Sequence, residues 1–187
     1  DFSLLIASLW YHICMSNFKR YYTDGVTVFI TVVTYKRSPI LLDNIELLRK
    51  ALKSVIFNYE IIAGIVMPDH LHLLIKANNY NEYPKIITAF KSYFSRSLPK
   101  NENQTIQQKQ RREKGIWQRK YYDHIIRNEN DLNRHLDYIH FNSMKHLNIY
   151  PCNWEYSSFK KFVKNGFYEK NWRNLGDKNN INNLDLE

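Results

Sequence analysis

The 187-residue sequence predicts an α+β fold, an antiparallel sheet with helices on one face. Three observations carry that expectation. Val26 to Tyr35 is β-branched and aromatic almost throughout. Two more apolar runs, Tyr59–Val66 and His70–Lys76, are separated only by Met67-Pro68-Asp69 and must pair as an antiparallel hairpin. Stretches with helical periodicity stand between the strands. The order β-α-β-β-α-β-α is ferredoxin-like in outline.

The first strand suits a pleated surface because its branched side chains pack well there, and Ser38-Pro39 stops it. Asp43 is expected to cap the following helix, with Glu46 completing a capping box. Ile45, Leu48, Leu52, Val55 and Ile56 form its apolar stripe. On the third strand His70, His72 and Leu74 share one face, and Leu71, Leu73 and Ile75 the other. The second face is the better core face, so the histidines are expected to be accessible. A helix from about Asn81 to Leu98 buries Ile86, Ile87, Phe90 and Phe94 and ends at Pro99. Residues 100–116 are rich in Gln and Lys without periodicity and read as a mobile loop. A strand is expected at Tyr121–Ile126, and Asn128 to Asp131 supply capping chemistry for a helix that turns Leu132, Leu136 and Ile139 inward.

The organisation follows. Residues 1–14 are apolar but lack a cationic start, and Met15-Ser16-Asn17 resembles a natural beginning, so 1–14 read as an upstream extension. Residues 15–150 form the domain. Residues 151–173 are aromatic and expected to pack on it, and 174–187, with five asparagines, read as a disordered tail.

Lys and Arg number 27 against 18 Asp and Glu, a formal charge of +9 that favours an anionic partner, nucleic acid first. Lys100 to Lys120 alone carries seven basic and two acidic residues. Two distant cysteines make neither a disulfide framework nor a CxxC metal site and fit a reducing cytoplasm. No apolar run is long enough to span a bilayer, so no membrane partner is expected.

The chemistry concentrates at His70-x-His72 and, 66 residues after His72, at Tyr138 and Asn142. Histidines at i and i+2 on a strand face one way, as do a tyrosine and an asparagine at i and i+4 on a helix. Two imidazoles and a carboxamide oxygen can hold Mg²⁺ or Mn²⁺ with positions left open for a phosphate, and a tyrosyl oxygen can attack phosphorus. His-x-His alone is also compatible with a structural zinc site, to which His124, His135, His140 or His146 could contribute. Lys91, Arg96, Arg111, Arg112, Arg119 and Lys120 are candidates for lining a backbone channel, with Trp117, Tyr121 and Tyr122 as base-stacking rings. The bland alternative for those rings is the core.

Met67-Pro68-Asp69-His70-Leu71-His72-Leu73-Leu74 resembles the histidine motif of the IS200/IS605-like single-tyrosine HUH transposases. The block from Gly115 to Arg127, the run Asp137-Tyr138-Ile139-His140-Phe141-Asn142 and Trp154-Glu155-Tyr156-Ser157-Ser158-Phe159 are similar to blocks of the REP-associated branch. The resemblance covers roughly residues 17–172. It implies a divalent metal on His70 and His72, Asn142 at its side and Tyr138 as nucleophile. It also implies cleavage and rejoining of single-stranded DNA beside imperfect hairpins, through a 5′-phosphotyrosine, by a monomer or homodimer at the bacterial nucleoid. Two departures stand out: Ser143 follows Asn142 where the branch usually has proline, and Leu147-Asn148 stand where a glycine is common. They are expected to alter the helix end without touching the chemistry. A non-catalytic hairpin-binding relic and a zinc-binding structural module are the other readings.

Overall fold

The computed structural model describes residues 25–172; the expectations for 1–14 and 174–187 lie outside the described residues. Strand β1 (Val26–Val33) is followed by helix α1 (Ile45–Lys53), the hairpin β2 (Tyr59–Val66) and β3 (His70–Ala77), and helix α2 (Tyr83–Arg96). A short helix α3 (Ile106–Gln110), strand β4 (Tyr122–Ile125), the long helix α4 (Glu129–Leu147) and helix α5 (Phe159–Lys164) follow within the described residues. The sheet order is β2-β3-β1-β4, and β3 and β1, the two central strands, pair antiparallel along their length.

Register decides what shares a face, because directly opposed residues point the same way. Thr31 lies opposite both His72 and Tyr122, Val33 opposite His70, and Phe29 opposite Leu74 and His124. That face is covered by α4, whose His135 and Tyr138 rings lie 4.8 and 5.8 Å from the ring of Phe29. The other face belongs to α2: the Tyr83 hydroxyl donates to Asp123, which stands opposite Ile30. So α4 caps the face that the ferredoxin-like helix α2 leaves open. Both faces of β1 and β3 are therefore buried, and the expectation of accessible histidines does not hold. His70 is 3% and His72 0% exposed.

Local chemistry departs from expectation in three further places. Asn44, not Asp43, is the N-cap of α1, and its side chain donates back to the Ile40 carbonyl instead of capping. Because α1 ends at Lys53, Ile56 falls beyond the stripe and is 92% exposed. The stretch expected as an unstructured loop holds α3, begun by a capping box in which Thr105 accepts from the Gln108 amide and the Gln108 side chain accepts from the Thr105 amide.

Helix α4 is held at both ends. Asn128 accepts from the Asp131 amide, Glu129 and Asp131 sit at the positive end, and Lys145 and His146 at the negative end. Asn148 closes the helix in the left-handed conformation with φ 55°, its amide reaching Met144 and Ser143 carbonyls. Asparagine tolerates that conformation better than most residues, so the missing glycine costs little. Ser143 continues the helix and its hydroxyl donates to the Ile149 carbonyl.

Residues 156–158 add to the free edge of β2. The Val66 amide donates to the Tyr156 carbonyl, and Ser158 exchanges two hydrogen bonds with Gly64. A Cβ at Gly64 would come within 2.9 Å of Leu73 Cδ2. Phe159 and Tyr168 then stack on each other, Trp172 lies tilted against both, and the first two rings meet His140 of α4 edge to face.

Candidate active site

Strand β3 and helix α4 bring four side chains together. His70 and His72 project from the start of β3 toward α4, where Tyr138 and Asn142 stand one turn apart. The Asn142 carboxamide bridges the two imidazoles: Oδ1 lies 3.3 Å from His70 Nε2, and Nδ2 lies 3.1 Å from His72 Nε2. The Tyr138 and His72 rings meet edge to face, centroids 5.1 Å apart.

Behind the histidines each Nδ1 is also engaged. His70 Nδ1 lies 2.6 Å from Asp69 Oδ1, and His72 Nδ1 lies 2.8 Å from Thr31 Oγ1. Asp69 Oδ2 pairs with Arg37 at 3.1 Å. Partial burial works against the ionised Asp69, but hydrogen bonds and charge from His70 and Arg37 prevail and hold its carboxyl at about 2. Burial, followed by the neighbouring charges of His70, His146, Lys145 and Arg37, pushes His72 well below the ordinary histidine range. His72 is therefore a neutral imidazole with a lone pair to give.

This donor set fits a hard divalent cation. A carboxamide has one donor end and one acceptor end, so whichever way Asn142 is turned its oxygen confronts one Nε2. His70 Nδ1 faces a carboxylate, which only accepts, so that nitrogen carries the hydrogen. With Asn142 placed as it is, its Oδ1 faces the His70 Nε2 lone pair at 3.3 Å, and a cation between them would satisfy both. Two imidazoles and a carboxamide oxygen are suitable ligands for Mg²⁺ or Mn²⁺.

A second group of possible ligands, His124, Asp131 and His135, has donor atoms within 4.8 Å of one another. Its two imidazoles are stacked, with centroids 4.6 Å apart and planes at 19°. A metal binds in the plane of an imidazole, so near-parallel rings do not aim at one ion. Asp131 instead accepts from His124 and from the Arg127 amide, which ties β4 to the start of α4.

The family profile described as "Transposase IS200 like" matches residues 23–142. A Haemophilus influenzae protein assigned to the REP-associated tyrosine transposases is 40% identical over 164 residues, spanning 84% of this chain and 93% of its own. The chain belongs to that family. A REP-associated tyrosine transposase of Escherichia coli is 30% identical over 163 residues, 84% of this chain and 91% of its own. Among solved structures, a REP-associated tyrosine transposase bound to a REP hairpin superposes with a TM-score of 0.67 at 30% identity. The match covers 87% of this chain and 93% of that one.

In this chain the candidate DNA contacts fall into different settings. Arg96, Arg111, Arg112, Arg119 and Lys120 are exposed. Lys91 is committed: its ammonium donates to the Gln118 carbonyl at 2.9 Å and ties α2 to the segment entering β4. Trp117 is not a stacking platform. Its ring packs on Phe90 and Phe94, its Nε1 donates to the Lys91 carbonyl, and it is 9% exposed. Tyr121 is half-buried, whereas Tyr122 is 36% exposed on the histidine face, opposite Thr31. The Gln118 amide donates to Val33, whose strand partner is His70, so Arg119 and Lys120 leave the sheet at the end where the histidines stand.

Sequence reasoning missed Asp69, Thr31, Arg37 and Lys145 as neighbours of the site. Asp69 was visible inside the histidine motif but carried only a turn role. Thr31 becomes relevant only through strand register, and Lys145 only through its place over the Tyr138 ring, Nζ 5.1 Å from the centroid.

Proposed function

We propose that this chain cleaves and rejoins single-stranded DNA beside imperfect hairpins through a covalent 5′-phosphotyrosine on Tyr138, with a divalent cation held by His70, His72 and Asn142. The observation that carries this reading is the meeting of both Nε2 atoms with one carboxamide, beside the edge of the Tyr138 ring. The hairpin in the related solved structure supports the choice of substrate.

Bound there, Mg²⁺ or Mn²⁺ would polarise the scissile phosphate and offset charge building on its oxygens. The protein supplies the rest. The Tyr138 oxygen attacks phosphorus, and the bond to the 3′-oxygen breaks. The proton that the Tyr138 phenol gives up to solvent is matched by one that the departing 3′-oxygen takes from solvent, so that oxygen leaves as a hydroxyl and the 5′-phosphate stays on the tyrosine. A 3′-hydroxyl attacking the phosphotyrosine reverses the step and reseals a strand with no nucleotide cofactor, because the bond energy is kept in the ester. The Lys145 ammonium against the Tyr138 ring favours negative charge on the phenol. Tyr138 is 1% exposed, so its oxygen meets a phosphate only after neighbouring side chains shift to uncover it. Arg119 and Lys120 would hold the backbone beside the site and Tyr122 a base.

Mn²⁺ titration of the DNA-free protein tests the ligand set. Wild type is expected to bind one ion, and His72→Ala and Asn142→Ala to lose it. Undiminished binding in both variants would place the cation elsewhere.

A further inference from the structure

The strand end that presents His70 is built around a carboxylate with no other task. Position 69 makes its structural contribution through its backbone: the Asp69 carbonyl accepts from the Thr34 amide and the Thr34 hydroxyl, each at 2.8 Å. Any residue could supply that carbonyl. The side chain is left to two partners, His70 Nδ1 at 2.6 Å and Arg37 Nη1 at 3.1 Å.

Arg37 reaches Asp69 from an unusual backbone. Lys36 and Arg37 take positive φ values, 53° and 51°, in succession. Two consecutive non-glycine residues in that region are strained, by about 1–3 kcal/mol each. The turn is pinned by Tyr35 donating to the Ile116 carbonyl and by Thr34 accepting from the Arg37 amide. What the strain places is a guanidinium on the carboxylate oxygen that His70 does not use.

We propose that Asp69, steadied by Arg37, is a positioning residue that locks His70 in the tautomer with hydrogen on Nδ1 and so presents an Nε2 lone pair to the cation beside Asn142. This rests on the metal reading given above. The physical reason is that a carboxylate only accepts. The opposite tautomer would set an Nδ1 lone pair 2.6 Å from a carboxylate oxygen and would carry a hydrogen on the nitrogen that must ligate. An imidazole released from this contact favours hydrogen on Nε2, the wrong form. A carboxylate behind a ligating histidine also makes the ring a stronger donor.

The test has two readouts on the full chain. In metal-free protein labelled with ¹⁵N-histidine, long-range ¹H–¹⁵N correlation reports which His70 nitrogen bears the hydrogen. Wild type is expected to show it on Nδ1, and Asp69→Ala to shift it to Nε2. Mn²⁺ affinity, read by electron paramagnetic resonance, is expected to fall about 10- to 100-fold with that shift. Asp69→Asn, whose amide oxygen still accepts, should keep the fold and recover the tautomer and part of the affinity. Wild type that binds Mn²⁺, with an Asp69→Ala variant unchanged in both tautomer and affinity, overturns the proposal alone. Wild type that shows hydrogen on Nδ1 but binds no Mn²⁺ overturns the metal reading, and the proposal with it.

Discussion

The ring of Tyr138 stands edge-on against that of His72, with centroids 5.1 Å apart and planes at 77°. One residue comes from the central strand β3 and the other from the helix that closes its face. The proposed nucleophile and the proposed ligand therefore share one packing contact, and Phe29 is its floor. The Phe29 ring touches His72 at 5.5 Å, Tyr138 at 5.8 Å and His135 at 4.8 Å.

Removing that floor should cost both stability and geometry. Phe29 is 0% exposed, and truncating such a ring leaves a cavity as well as lost burial, so Phe29→Ala is expected to destabilise the protein by about 3–5 kcal/mol. Urea unfolding followed by circular dichroism measures it. A loss below ~1 kcal/mol would show that α4 does not depend on this contact.

Lys145 should affect chemistry more than binding. Its ammonium lies over the Tyr138 ring, 5.1 Å from the centroid, so negative charge developing on the phenol is attracted to it. Lys145→Met is expected to slow formation of the protein–DNA adduct on the order of tenfold while hairpin affinity changes little. An unchanged single-turnover rate would remove Lys145 from the chemistry.

Arg119 and Lys120 should act through phosphates. Each contact with a single strand contributes about 0.7 to the slope of log affinity against log salt. Arg119→Ala combined with Lys120→Ala is expected to lower that slope by about 1.4, measured by fluorescence anisotropy with a labelled hairpin across a salt series. An unchanged slope would place the DNA backbone on another surface.

Lys91 predicts a pH dependence of stability. Burial is the main cause that lowers its ammonium from 10.5 to about 8, with Glu113 opposing. The folded value lies below the unfolded one, so between about 8 and 10.5 the unfolded chain holds more protons. The stability this group withholds is recovered as pH rises through that window. Lys91→Met lacks the titration. Wild-type urea midpoints should therefore gain on those of the variant from pH 8 to pH 10.5, and a constant difference would contradict the assignment.

Much of this arrangement was legible in the residues. The bounds of β2 coincide with the apolar run Tyr59–Val66, and the α2 stripe Ile86, Ile87, Phe90 and Phe94 is buried as its spacing requires. The His-x-His and Tyr-x₃-Asn pairs each pointed to one face, and the structure sets those faces against each other. What periodicity could not tell was that α4 would cover the histidines. Alternation marked Leu71, Leu73 and Ile75 as the core face, but both faces of β3 are closed. Trp117 was open to two readings because its composition and neighbours suit DNA and core equally; its packing on Phe90 and Phe94 decides for the core. The links from Thr31 to His72 and from Arg37 to Asp69 depend on strand register and on a strained turn, neither of which residue types encode locally.

The most direct measurement is incubation of the full chain with a labelled single-stranded DNA hairpin library and Mg²⁺ or Mn²⁺, followed by a denaturing gel. The account predicts a covalent protein–DNA band that requires the cation and disappears in Tyr138→Phe, while the variant still binds the hairpin. A band that persists in Tyr138→Phe would move the nucleophile, with the exposed Tyr122 on the same face as the first candidate. Tight hairpin binding with no band under either metal would contradict the enzyme and leave a DNA-binding relic of the family.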